Sequence, residues 1–440
     1  MESGVGNNNK RVIKGTVAPG FESVQVLYER NMNNLAEEYS QLCVYHKGEK
    51  VVDLWAQGED TNEFSADSLI NVFSSGKSLE SIALATLVDK GLLRFDEKIA
   101  RYWPEFGAHG KAELTIADLM RHEAGLANFT TSIEPADLQT ENLKQNKVGS
   151  IVERQPLGYP GDGTQSREYH AVSRGWVVNE IFRRVDPFGR TLGEFLQQDI
   201  NEPLGVEARV GLGKDELSRV HKVRHRGFAF ELLESLKPKF LGRRVPHSMF
   251  RLLSRILRIL PKARKRMTRG APVPYTGMDG ILFFNEESVA LGETPSANTK
   301  SSARTLAKIA AMMSAGGHFS GHEYLGQGAW DAMHAHPTEE LMGGAIPTRF
   351  TQGGVNQFLE SSDSSSVLEQ DFNTGREGFF GWMGLGGSIF QWNPKLDIGF
   401  GFTVTELHVL DFLNERGKVY QAQVMGCIRE MEKQQHAPRG

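Results

Sequence analysis

The chain has 440 residues, 39% of them hydrophobic and 24% charged. This composition gives one large domain or two ordinary ones and excludes collagen-like, disulfide-stapled and wholly disordered chains. Lys and Arg number 50 against 54 Asp and Glu, a net charge of −4, which argues against a general nucleic-acid binder.

Residues 1–20 read as a flexible arm, Asn-rich and closed by Pro19-Gly20. Helical spacing follows over 21–38, through Phe21, Val24, Leu27, Tyr28 and Met32. Residues 42–58 read as two strands around a turn at Lys47-Gly48. A helix is expected at about 75–90, where Leu79, Ile82, Ala83 and Leu87 share a face before Gly91. Further helices are expected at 115–122, 172–185, 191–200 and 302–314. Two strands flank a turn at Asn393-Pro394, and a helix over 414–433 closes the chain. The order predicts an α+β fold, with an antiparallel sheet built from both chain ends and a helical middle over about 90–300.

The first fifteen residues hold no apolar stretch, and no run approaches the ~18 apolar residues of a membrane span. Cys43 and Cys427 stand nearly the whole chain apart. A reducing, cytoplasmic setting is therefore expected. Charge is uneven. Between Arg219 and Arg269 there are 16 Lys or Arg and two acids, Glu231 and Glu234, so this stretch is +14 and the remainder −18.

The first chemical candidate is Ser74-Ser75-Gly76-Lys77. Spacing of i to i+3 sets the Ser74 hydroxyl and the Lys77 amine on one face of a first helical turn, at an electropositive helix end. A desolvated lysine can lose its proton and act as base for serine. On four residues alone, a helix cap and a solvated lysine is the simpler reading.

The surrounding stretch decides between them. The S-x-x-K at Ser74/Lys77, the run Leu87-Val88-Asp89-Lys90-Gly91-Leu92-Leu93, Tyr102-Trp103-Pro104 and Leu119-Met120-Arg121-His122-Glu123-Ala124-Gly125-Leu126 occur in that order. Together they resemble the serine β-lactamase-like superfamily, class C-like branch, and most nearly its family VIII carboxylesterases. The resemblance runs from about residue 20 to about 405. It implies a β-lactamase/penicillin-binding-protein-like domain over 21–435, with the basic stretch 215–272 as a helical insert.

The resemblance also implies site residues. Tyr169, in Tyr169-His170-Ala171 after the Pro160-Gly161 segment, takes the place of the tyrosine that relays the nucleophile's proton. That role calls for a phenol whose pKa a nearby ammonium lowers. The asparagine of the Y-x-N motif is missing, which argues against strong β-lactam hydrolysis. Residues 380–388, FGWMGLGGS, resemble the third family motif, with Trp382 where a lysine or histidine usually stands. An indole offers an apolar wall and one N–H donor instead of a cation. The backbone N–H groups of Ser74 and Leu385 are implied as the oxyanion hole, with Trp382, Gly384 and Asn298 as substrate contacts. His122 is implied to be structural, and His170 is expected to point away from the site.

No metal-ligand spacing and no nucleotide-binding motif is present, so neither metal nor cofactor is expected. The expected activity is hydrolysis of a small carboxylic ester through an acyl-enzyme on Ser74, with Lys77 and Tyr169 as the base. Acyl transfer, a β-lactamase or D-peptidase-like amidase on the same nucleophile, and a non-catalytic lipid-binding homologue stand as alternatives. Within the insert, Met249, Leu252, Leu253, Ile256, Leu257 and Leu260 fit one helical stripe, with Arg251, Arg255 and Arg258 off it. Pro261 is expected to end this helix before the basic cluster 262–266. Three readings of 246–269 remain open: a wall or lid packed on the body, a weak membrane-surface contact, and a nucleic-acid or nuclear-import patch.

Overall fold

The chain enters its fold as an edge strand, β1 (Val12–Val17), paired antiparallel with residues 52–57. The arm expected over 1–20 is thus a strand from Val12, because its backbone completes a row of sheet bonds. The computed structural model describes residues 11–58, 63–159, 166–263, 272–363 and 365–436. Helix α1 (Glu22–Asn34) buries Val24, Tyr28 and Met32, the spacing legible in the sequence. Strands β2 (Ser40–His46) and β3 (Glu49–Gln57) meet at Lys47-Gly48, where both residues take positive φ, the geometry of a tight hairpin turn.

A short 3-10 turn over Phe73–Gly76 leads into α2 (Lys77–Asp89). Helix α3 (Ile116–Met120) begins at a capping box, Thr115 accepting from the Asp118 N–H. Helix α4 (Ser173–Val185) lies beside α2 in the helical core. The helix expected at 191–200 is two pieces, Leu192–Phe195 and a π-helical turn over Leu196–Asn201. The insert supplies α5 (Phe228–Leu236) and α6 (Met249–Ala263). Helix α6 runs two residues past Pro261. A proline removes its own hydrogen bond but leaves the following N–H groups free to bond, so the turn is completed. Most of the cluster 262–266 lies outside the described residues, as does Pro160-Gly161.

Helix α7 (Ala303–Ser314) starts at Ser302, whose hydroxyl accepts from the Thr305 N–H. The chain then returns to strands: β4 (Thr338–Met342), β5 (Ile346–Phe350) and β6 (Asn356–Gln357). After α8 (Val367–Asn373) come β7 (Phe380–Met383), β8 (Ile389–Asn393) and β9 (Ile398–Val404), and α9 (Glu415–His436) ends the described chain. The nine strands form one sheet in the order β1-β3-β2-β9-β8-β7-β6-β5-β4, antiparallel throughout. Its centre joins β2 from the start of the chain to β9 from the end, as the α+β reading expected.

The alternation Ile398-Gly399-Phe400-Gly401-Phe402 explains how the sheet is covered. Ile398, Phe400 and Phe402 join a core with Phe21, Tyr28, Leu42, Tyr420 and Val424, which places α1 and α9 on that face. The glycines face α7: a Cβ at Gly399 would sit 2.3 Å from the Ala311 nitrogen, and one at Gly401 2.3 Å from the Ala303 carbonyl oxygen. A second core, from α2, α3, α4 and α7, fills the helical middle. The active-site candidates sit where the two cores meet. No helix among the described residues is long and apolar enough to cross a membrane.

Candidate active site

Val72 donates its N–H to the Thr299 carbonyl at 2.9 Å, and the chain then turns sharply. Phe73 has φ of 47°, a conformation costing a non-glycine residue on the order of 1–3 kcal/mol. Burial of its ring against Phe284, 5.2 Å away, holds it there. The turn presents Ser74, half-buried, at the N-terminal end of α2. Gly76 lets α2 press against the segment Pro295–Asn298, since a Cβ there would lie 2.6 Å from the Pro295 carbonyl oxygen.

That approach buries Lys77, which is only 1% exposed. Its Nζ lies 2.6 Å from the Ala171 carbonyl, 3.0 Å from the Ser296 carbonyl and 3.4 Å from Ser74 Oγ. Among the described residues no carboxylate touches it. Burial holds its pKa well below the usual lysine value, and nearby Glu80 only partly offsets this. A neutral amine has two N–H donors and one lone pair. The two carbonyls accept two N–H bonds and the third contact is Ser74 Oγ, so a neutral amine in this position would turn its lone pair toward Ser74.

The charge of Glu80 is spent elsewhere. Its carboxylate accepts from Arg174 Nε at 2.8 Å and from Ser296 Oγ at 2.5 Å, with Glu80, Arg174 and Ser296 all fully buried. Arg174 also donates to the Lys77 carbonyl at 3.0 Å and the Met120 carbonyl at 3.0 Å. This network sets the position of Lys77 through the bond from Arg174 to the Lys77 carbonyl. The sequence reading passed it over. Its signal was Glu80 three residues after Lys77 and Arg174 five residues after Tyr169.

Tyr169 meets the same pocket from the far side. Its ring centroid lies 4.9 Å from Lys77 Nζ, and its hydroxyl hydrogen-bonds with Ser74. Trp382 Nε1–H donates to the Tyr169 oxygen at 2.9 Å. The expected lowering of the phenol pKa is overturned: burial pushes it up to about 12, more than the bonds from Ser74 and Trp382 draw it down. The cause is desolvation, the same effect that lowers the pKa of Lys77. Burial thus shifts both Lys77 and Tyr169 toward their uncharged forms.

The indole N–H of Trp382, expected to serve the substrate, is engaged by Tyr169, and the ring is nearly buried against Phe350 at 5.0 Å. Trp382 thus orders the tyrosine. Beyond it, Gly384 permits β7 to touch the nucleophile turn, because a Cβ would stand 2.3 Å from the Val72 carbonyl oxygen. Ser388 ties the two together, its Oγ donating to that carbonyl at 2.6 Å and lying 3.0 Å from Ser75 Oγ. Leu385 is the exposed residue of this turn.

Asn298 is not among the residues brought together. It is 1% exposed, its Nδ2 donating to the carbonyls of Val289 and Gly292 and its Oδ1 accepting from the Thr294 N–H. Every polar atom of its amide is used to hold the 289–298 turn, which leaves none for a substrate. His122 is fully buried, with its Nδ1 accepting from the His170 N–H at 3.2 Å, a structural role as expected. His170 points away from Ser74 and accepts from the Leu126 N–H through Nε2.

Known proteins share this frame. The esterase/beta-lactamase LipL of Mycobacterium tuberculosis (strain ATCC 25618 / H37Rv) is 27% identical over 377 residues, 83% of this chain and 76% of LipL. A family VIII carboxylesterase structure superposes with a TM-score of 0.71 at 23% identity, covering 94% of this chain and all of that one. EstA from Arthrobacter nitroguajacolicus Rue61a gives 0.70 at 22% identity, covering 94% of this chain and 98% of its own. The Beta-lactamase family model spans residues 32–423, from α1 through the site strands and into α9. The chain therefore belongs to the Beta-lactamase family and is a serine hydrolase of the β-lactamase fold.

Proposed function

We propose that the protein hydrolyses carboxylic esters through an acyl-enzyme on Ser74. The observation that carries this is the Lys77 amine, buried without a carboxylate contact among the described residues and 3.4 Å from Ser74 Oγ. Lys77 takes the proton as Ser74 Oγ attacks the ester carbonyl carbon. The backbone N–H groups of Ser74 and Leu385 receive the developing oxyanion. Tyr169 passes a proton from Lys77 to the departing alkoxide. Water then attacks the acyl carbon, and the same groups work in reverse to free Ser74.

The substrate class follows from the wall. With Trp382 engaged by Tyr169, β7 offers no cation to a substrate carboxylate, which favours a neutral ester over a penicillin or peptide acid. The names of the relatives, an esterase/beta-lactamase and a carboxylesterase, agree with that choice.

The test is intact-mass labelling with a fluorophosphonate probe, beside p-nitrophenyl esters of rising acyl length, on wild type and Ser74→Ala. One adduct on Ser74 and a loss of about 10³-fold or more in kcat/KM in the variant are expected. Unchanged turnover in Ser74→Ala would remove the assignment.

A further inference from the structure

Helix α5 is inside out. Its buried residues are Glu231, Glu234 and Ser235, while Phe228, Leu232, Leu233 and Leu236 face solvent. The carboxylates are fully occupied inside. Glu231 accepts from the N–H groups of Val409 and Leu410, each at 2.9 Å. Glu234 accepts from Lys237 and from both the side chain and the backbone N–H of Arg244.

The apolar surface continues. Phe240 and Leu241 follow α5, at 86% and 64% exposure. On α6 the stripe read from the sequence splits. Leu252 is buried and Ile256 half-buried, while Leu253 and Leu257 are turned outward beside Phe250, which is 83% exposed. The buried side of α6 carries Arg255 instead, paired with Asp371 at 2.9 Å and Glu415 at 2.7 Å. The helix is anchored to the body by that ion pair and by Leu252, so it is a wall. Its outer face remains uncovered.

Water does not favour leucine and phenylalanine in such numbers on two adjoining helices. The charges among them indicate what covers them. Lys239 and Arg258 are exposed among the apolar residues, and Lys237, Arg244 and Arg251 are exposed beside them although each also pairs with an acid, Glu234 for the first two and Glu415 for the third. The segment's only two acids are the inward Glu231 and Glu234. A large apolar face rimmed by long basic side chains matches an anionic lipid surface: the rings and leucines enter the acyl boundary while the cations reach the headgroups. A second copy of this chain meeting face to face would set the same positive rim against itself.

We infer that the outer face of α5, residues 239–241 and α6 docks the protein onto an anionic phospholipid bilayer. The surface also communicates with the cleft. Glu231 holds residues 409–410, and Leu407 of the same segment packs against Gly386 in the turn after β7. Ile259 of α6 packs into the core that contains Trp382.

The experiment is co-sedimentation of the full-length protein with vesicles of phosphatidylcholine alone or mixed with phosphatidylserine. Phe250→Asp/Leu257→Asp and Ser74→Ala are compared with wild type. Binding is expected on the anionic vesicles, to fall with added salt, and to survive Ser74→Ala, which separates it from the hydrolase reading. The double aspartate variant should bind roughly tenfold or more weakly while keeping its melting temperature and its turnover of a short soluble ester. Absence of binding to anionic vesicles at low salt would overturn the proposal, as would equal binding by the variant. So would a wild-type dimer in sedimentation velocity that becomes a monomer in the variant, since a second copy would then be the occupant.

Discussion

Lys77 and Arg255 are both basic side chains with almost no exposure, and the protein handles them in opposite ways. Arg255, on the insert, is given two carboxylates, and they hold its proton more firmly than water would. Lys77, in the cleft, is given two carbonyls and a hydroxyl, and burial holds its pKa well below the usual lysine value. The difference lies in the anion, not in the depth. Solvent removal with a compensating charge makes a structural pin, and without one it makes a base.

Removing the Lys77 amine should give the largest effect. Lys77→Met should lower kcat/KM for a p-nitrophenyl ester by about 10²–10⁴-fold. It should also lower stability by about 1–3 kcal/mol, because the buried Ala171 and Ser296 carbonyls lose their donor. Lys77→Arg should lose as much activity, since a guanidinium does not release its proton. The wild-type pH profile carries the same signature. The lysine pKa is depressed, so the neutral, basic amine accumulates as pH rises through it, and kcat/KM should climb over that window. A fall in rate with rising pH across neutrality would contradict the assignment. Tyr169 contributes no second rise below its pKa of about 12.

Next in size is the network that positions the lysine. Arg174→Ala leaves the Glu80 carboxylate buried and unpaired, at an expected cost of about 3–5 kcal/mol in urea unfolding. Arg255→Ala sharpens the contrast from the other side. Asp371 remains partly solvated, so the loss should be about 1–3 kcal/mol, with turnover of a soluble ester unchanged. Equal losses of activity in the two variants would erase the distinction drawn between pin and base. The smallest effect belongs to Trp382→Phe. It removes one donor from Tyr169, worth about 0.5–1.5 kcal/mol, and should cut kcat by roughly two- to tenfold with KM nearly constant.

How much of this could be read from the sequence divides along the range of the interactions. The Lys47-Gly48 turn, the α2 stripe and the Ile398–Val404 strand follow local rules of turn chemistry and periodicity, and they were legible. Ser74, Lys77 and Tyr169 were legible through motif order, and the structure brings them into contact. The protonation of the pair was not. The pKa values of Lys77 and Tyr169 depend on burial by the segment 295–298 and by β7, which are more than 200 residues away. Asn298 misled because a residue near the cleft in sequence terms can still spend its whole amide on its own turn. The insert misled differently. Helical spacing identifies an apolar stripe, but only the positions of Asp371 and Glu415 decide which edge of it turns inward.

The pairing of β2 with β9 has a consequence in time. The nucleophile helix α2 is made from residues 77–89, yet the strand that faces it begins at residue 380. At about 5–20 residues per second, the ribosome takes roughly 15–60 s to supply that partner. Throughout that interval Ser74 and Tyr169 exist without Trp382 and the Gly384 turn that close their side of the site. A truncated product lacking β7 to β9 carries the full S-x-x-K motif without Trp382 or the Leu385 turn.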